Sequence, residues 1–140
     1  MMKKLLGILV LSLLLSGSGY AYTYINCSLT HMKYKDSNEI TKFEGSPGYM
    51  KFDKNLVFIR WDPNRKKFKV AESILKYDKY EIVFEFLNSS KIDGISDIST
   101  MTIDRISGEA KSVNSRRIHY YDCQKISKSE LPKKNVSTKF

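Results

Sequence analysis

The chain has 140 residues, with 24 Lys and Arg against 15 Asp and Glu, for a net charge of +9. That length supports one small domain and excludes a multidomain enzyme. A hydrophobic fraction of 41%, with nine Tyr, seven Phe and one Trp, excludes a disordered chain.

Residues 1–21 read as an export signal. Lys3 and Lys4 form a positive start, Leu5 to Leu15 an apolar run, and Ser16 to Ala21 a small-residue exit. The run spans only about 16 Å as a helix, against the roughly 30 Å of a bilayer core, so cleavage near Ala21 is expected rather than anchoring. Without Lys3 and Lys4 the net charge falls from +9 to +7. The expected location is periplasmic or secreted.

Tyr22 to Cys27 alternates, placing Ile25, Cys27 and Leu29 on one face of a first strand. Ser46-Pro47-Gly48 signals a turn into Tyr49 to Asp53, where Met50 and Phe52 share a side. Asp53-Lys54-Asn55 connects to the β-prone run Leu56 to Trp61. Asp62-Pro63-Asn64 ends that run, with Pro63 suited to position i+1 of a turn, and Phe68 and Val70 begin the return. Ala71 to Asp78 fits a bent strand or a short helix and is read here as strand. In Tyr80 to Phe86, residues Tyr80, Ile82, Phe84 and Phe86 are expected inside, with Glu81 and Glu85 in water.

Asn88 to Gly94 reads as a loop. Ser99 to Arg105 pairs through Ile106-Ser107-Gly108 with Glu109 to Val113, Gly108 taking the left-handed position of a bulged hairpin. Arg117 to Ile126 is the last strand. The fold expected for residues 22–126 is therefore all-β: a small antiparallel barrel or sandwich of about eight strands, with 127–140 a loose basic tail. Cys27 and Cys123, the two cysteines of the chain, are expected to form a disulfide between the first and last strands. Closing so long a loop stabilises by roughly 4 to 5 kcal/mol in the chain-entropy model.

The charge is local. Arg60, Arg65, Lys66, Lys67 and Lys69 face only Asp62 across residues 60–69, and five lysines face only Glu130 across 124–140. Trp61, Phe68 and Tyr77 lie near the first cluster in sequence. Arg60, Trp61, Arg65, Lys66, Lys67 and Lys69 are thus the candidate surface for an anionic partner, such as a lipid headgroup, lipopolysaccharide or a wall polymer. A periplasmic protein is the alternative partner, and nucleic acid is disfavoured for an exported chain. The plainer reading is a solvated hairpin whose lysines protect a sheet edge.

Chemistry is sparse. His31 and His119 have no metal-ligand spacing, no GxSxG, HExxH or phosphate-cradling glycine loop occurs, and no cofactor, metal or enzymatic activity is expected. Asp104 and Arg105 read as a turn-stabilising pair. Only a concave pocket joining them to His119 would argue for catalysis. A barrel holding a small apolar ligand inside is the alternative from a different class.

Met101-Thr102-Ile103-Asp104-Arg105-Ile106-Ser107-Gly108, followed by Tyr120-Tyr121-Asp122-Cys123, resembles uncharacterised small secreted bacterial or phage-encoded proteins. In these, an Ile-Asp-Arg-x-Ser/Thr-Gly hairpin precedes a C-terminal strand cysteine. The resemblance implies an exported β protein and no activity. A cysteine in the first and in the last strand is also similar to periplasmic lysozyme inhibitors of the membrane-bound C-type class. Their Ser-Ala-Ser-Gly-like inhibitory loop has no counterpart here, and a basic chain is poorly matched to a basic lysozyme.

Overall fold

The computed structural model describes residues 21–92 and 95–133, the side chains of 88–96 excepted. All of the expected leader but Ala21, and residues 134–140 of the expected tail, lie outside the described residues.

Among the described residues nine strands follow one another: β1 (Thr23–Tyr34), β2 (Ile40–Ser46), β3 (Tyr49–Phe52), β4 (Leu56–Asp62), β5 (Lys67–Tyr77), β6 (Glu81–Ile92), β7 (Ile95–Asp104), β8 (Glu109–Val113) and β9 (Arg117–Ile126). Every pairing is antiparallel. The ladder runs from β1 through β3 to β9 and closes where β9 pairs with β1 again. The result is a closed barrel of eight strands with β2 as an extra. Barrel, not sandwich, is the outcome, and closure removes the exposed edges that an open sheet leaves.

β2 is the strand that the alternation misses. It pairs with the far half of β1, beside β3 on the same edge, and all seven of its residues are exposed. Because no face of β2 is buried, it carries no inside-outside pattern. A bulge in β1 between Leu29 and His31 changes the parity of that strand, so Met32 rather than His31 reaches the interior.

The interior is built from pairs of inward residues: Ile25 and Cys27, Met50 and Phe52, Val57 and Ile59, Ile82 and Phe84, Met101 and Ile103, with Ala110 from β8. Phe84 and Cys27 are wholly buried. Val70, Ile74, Tyr77, Phe86, Tyr121 and Cys123 pack around this set. Barrels of eight strands have interiors about wide enough for side chains to fill.

The turns share one device. Asp53, Asp62, Asp78, Asp104 and Asn114 each start a connection, and each side-chain oxygen accepts the backbone N–H groups two and three residues on. These Asx turns satisfy donors that the ladder leaves unpaired. Gly108 sits at φ 80°, the left-handed position expected of it.

Three further expectations change. Tyr80 does not face inward; it lies in the turn opened by Asp78 and is exposed. Asn88 to Ile92 continue β6 rather than forming a loop, with Lys91 opposite Ser96 and Ile92 opposite Ile95. Residues 127–133, expected as part of a loose tail, pack on the barrel: Lys128–Glu130 make a 3-10 turn and Leu131 is only 6% exposed.

Candidate functional site

The outer wall of the barrel, where β1, β3, β4 and β5 run side by side, carries a pocket of about 260 Å³. Strand alternation supplies it. Val57 and Ile59 point inward, so Phe58 points out, and Lys51 lies opposite Phe58 in the register of β3 and β4. Arg60 then takes a left-handed φ of 61°. Trp61 consequently lines the pocket with Phe58 instead of following Ile59 into the core. Phe68, opposite Trp61, packs its ring against the indole at 4.9 Å and 59°.

Residues 127–133 form the remaining side. The Ser127 N–H donates to Glu130 Oε2 at 2.8 Å, closing the short turn. The Trp61 indole N–H donates to the Pro132 carbonyl at 2.9 Å and ties this strap to the wall. The strap places Lys128 and Leu131 in the lining, beside Tyr24, Lys66 and Lys67.

Four lysines therefore meet four aromatic rings, and among the described residues no carboxylate lines the pocket. The Lys51 ammonium lies 4.4 Å from the Tyr22 ring centre, 4.8 Å from that of Phe58 and 5.5 Å from that of Phe68. These ring faces attract the cation, but they do not neutralise it. Burial first, and then the like charge of Lys128, push the Lys51 pKa below its ordinary value.

The six residues expected to form the anionic-partner surface divide here. Trp61, Lys66 and Lys67 line the pocket. Arg60 is diverted, its guanidinium donating to the Leu87 carbonyl of β6 at 2.8 Å. Arg65 and Lys69 are drawn to Asp62, each at 3.9 Å. Tyr77 lies elsewhere, packed on Phe52. Sequence proximity missed Tyr24, Lys51, Phe58, Lys128 and Leu131. The outward half of each strand pattern was a usable signal for the first three. The two charge clusters, separate along the chain, meet through Lys128.

The remaining candidates are more dispersed. A cleft of about 230 Å³ at one end of the barrel is walled by Ile25, Phe52, Ile82 and Ile103 and rimmed by Asp104, Arg105 and Lys125. His119 is not part of it. Asp104 caps its own turn, while Arg105 donates to the Asp78 carbonyl at 2.7 Å and lies over Tyr77, so the two do not pair as expected. His31 stacks on Tyr120 at 4.3 Å. Among the described residues no group of three or more His, Cys, Asp or Glu is arranged to hold a metal.

Fold and pocket together define a closed, disulfide-bonded β-barrel with a cationic aromatic pocket on its outer wall. Comparison with known proteins finds no matching family model, no matching curated protein and no matching solved structure.

Proposed function

We propose that the chain is a non-enzymatic, exported binding domain that docks on anionic lipid headgroups of the cell envelope through the pocket of Lys51, Lys66, Lys67 and Lys128. The observation that carries this reading is four lysines converging on aromatic rings with no acid among the described residues of the lining. Such a set favours phosphate over neutral groups, while the rings give an amphipathic foot at a membrane interface. The disulfide between Cys27 and Cys123 is consistent with an oxidising, exported location.

A ligand inside the barrel has less support, because Phe84, Ile82 and Met101 are fully buried side chains that occupy the interior.

Co-sedimentation with vesicles tests the reading. Binding to phosphatidylglycerol-containing vesicles, weakened by salt and by Lys51→Gln with Lys128→Gln, is the expected result. Equal, salt-independent partitioning to neutral and anionic vesicles would overturn it.

A further inference from the structure

The pocket contains more than its charge requires. A surface that only attracts phosphate needs lysines alone, yet here Lys51, which is half-buried, and the exposed Lys66, Lys67 and Lys128 share a recess with Trp61, Phe58, Phe68 and Leu131 of the strap. Its volume of about 260 Å³ lies under the roughly 300 to 1,000 Å³ of drug-sized pockets, room for one ring with a small substituent rather than a polymer.

The rings also have a direction. Trp61 and Phe68 are inclined at 59° with centres 4.9 Å apart, so they form a dish and not the parallel jaws that would clamp a flat base. A puckered sugar ring suits a dish, since its C–H bonds carry partial positive charge toward the negative ring faces. The cations are all lysines, which act on phosphate as point charges without the fixed fork geometry of arginine.

We infer that this pocket is a subsite for a single phosphorylated sugar, the ring lying on Trp61 and Phe68 and the phosphate held between Lys51, Lys128 and the Lys66–Lys67 pair. The inference rests on the anionic-headgroup reading and narrows it: the preferred headgroup carries a saccharide beside its phosphate. An anion placed there also offsets the mutual repulsion of lysines that have no carboxylate among the lining residues.

Trp61 is the one tryptophan of the chain, so its fluorescence reports this pocket alone. The full exported chain is titrated with glucose 6-phosphate, inorganic phosphate and glucose. The sugar phosphate is expected to bind about tenfold more tightly than phosphate, and glucose to give no change at the same concentrations. Phe68→Ala retains the reporter and is expected to weaken glucose 6-phosphate about fivefold while leaving phosphate unchanged. Lys51→Gln is expected to weaken both. Circular dichroism of each variant separates loss of the subsite from loss of fold.

Equal affinities for glucose 6-phosphate and phosphate, or an equal effect of Phe68→Ala on both, would overturn the sugar subsite. If anionic vesicles still bind in a salt-dependent way and glucose 6-phosphate fails to displace them, the subsite falls and the headgroup reading stands. If neither vesicles nor either phosphate binds, both fall.

Discussion

Cys27 and Cys123 stand directly opposite each other across the seam between β1 and β9, and neither amide points at the other strand. The Cys27 N–H donates to the Gly48 carbonyl at 2.8 Å, and the Cys123 N–H donates to the Gly108 carbonyl at 2.7 Å. This is a non-hydrogen-bonded pair, the position at which opposed strands come closest and side chains on one face can be joined. The bond spans 96 positions of sequence. Replacing both cysteines by Ala should therefore lower the stability of the chain by roughly 4 to 5 kcal/mol. Urea unfolding of the double variant checks this, and a loss under about 1 kcal/mol would show that the seam holds without the bond.

Gly108 makes a sharper test of the same seam. It has φ 80°, and a Cβ added there would lie 2.6 Å from the Cys123 carbonyl oxygen. Gly45 has φ 62° with nothing within 4 Å. Gly108→Ala should cost about 2 to 4 kcal/mol, strain and clash together, and Gly45→Ala only about 1 kcal/mol. Similar midpoints for the two variants in denaturant would refute the close approach of β8 and β9.

Acid should weaken the turns as their aspartates take up protons. Backbone N–H donors hold Asp53, Asp78 and Asp104 below the ordinary aspartate value of 3.8. At Asp62 burial acts the other way, but the N–H groups of Arg65 and Asn64 and the charges of Lys69 and Arg65 outweigh it. A carboxylate whose folded pKa is depressed stabilises fully above its unfolded value, and that contribution disappears as pH falls through the folded one. The denaturation midpoint should thus be flat above about pH 4 from these groups and decline below it. Asp104→Asn, which keeps an acceptor oxygen without the charge, should make the acid decline shallower.

His119 acts in a higher window. Burial, and then the charge of Arg117 on the same strand, hold its pKa below the ordinary 6.5. Met32 and Ser112 are its partners across the two ladders, and neither supplies a negative charge. Neutral His119 is thus compatible with the fold above pH 6.5, and stability is lost as pH falls from there through the folded pKa. His119→Gln should flatten the dependence of the thermal midpoint between about pH 5 and 7. An unchanged slope would assign that loss to another group.

Leu131 tests whether the strap belongs to the fold. Its side chain is 6% exposed, and its neighbour Pro132 accepts the Trp61 indole. Leu131→Ala should cost about 2 to 4 kcal/mol and shift Trp61 emission to longer wavelength as water reaches the ring. A variant with wild-type stability and emission would separate strap and wall.

Alternation made much of the barrel legible. Met50 with Phe52, and Ile82 with Phe84, were readable as sharing a face because one face of each strand is buried. β2 was not, since pairing with β1 holds it and burial does not. The parity change at the β1 bulge comes from one extra residue and leaves no periodic mark, which is why Met32 displaces His31. Tyr80 matched the alternation of its neighbours, but Asp78 had already committed it to a turn. The pocket was half legible: Trp61, Lys66 and Lys67 are close in sequence, whereas Lys51 belongs to the water-facing half of β3. Lys128 reaches it only because β9 returns the chain to β1.

That return has a consequence for how the molecule comes into being. β1 finds its partner on one edge only when β9 has been made, since every strand between them is already used by its own neighbours. A chain that has been synthesised as far as β8 is an open curl with two sticky edges, able to associate with its own copies. The ring-closing step is the contact of longest sequence separation, and such contacts form slowly. The last strand is thus a checkpoint: until it docks, the barrel is unsealed, the two cysteines are apart, and the strap with Lys128 has not been brought to its wall.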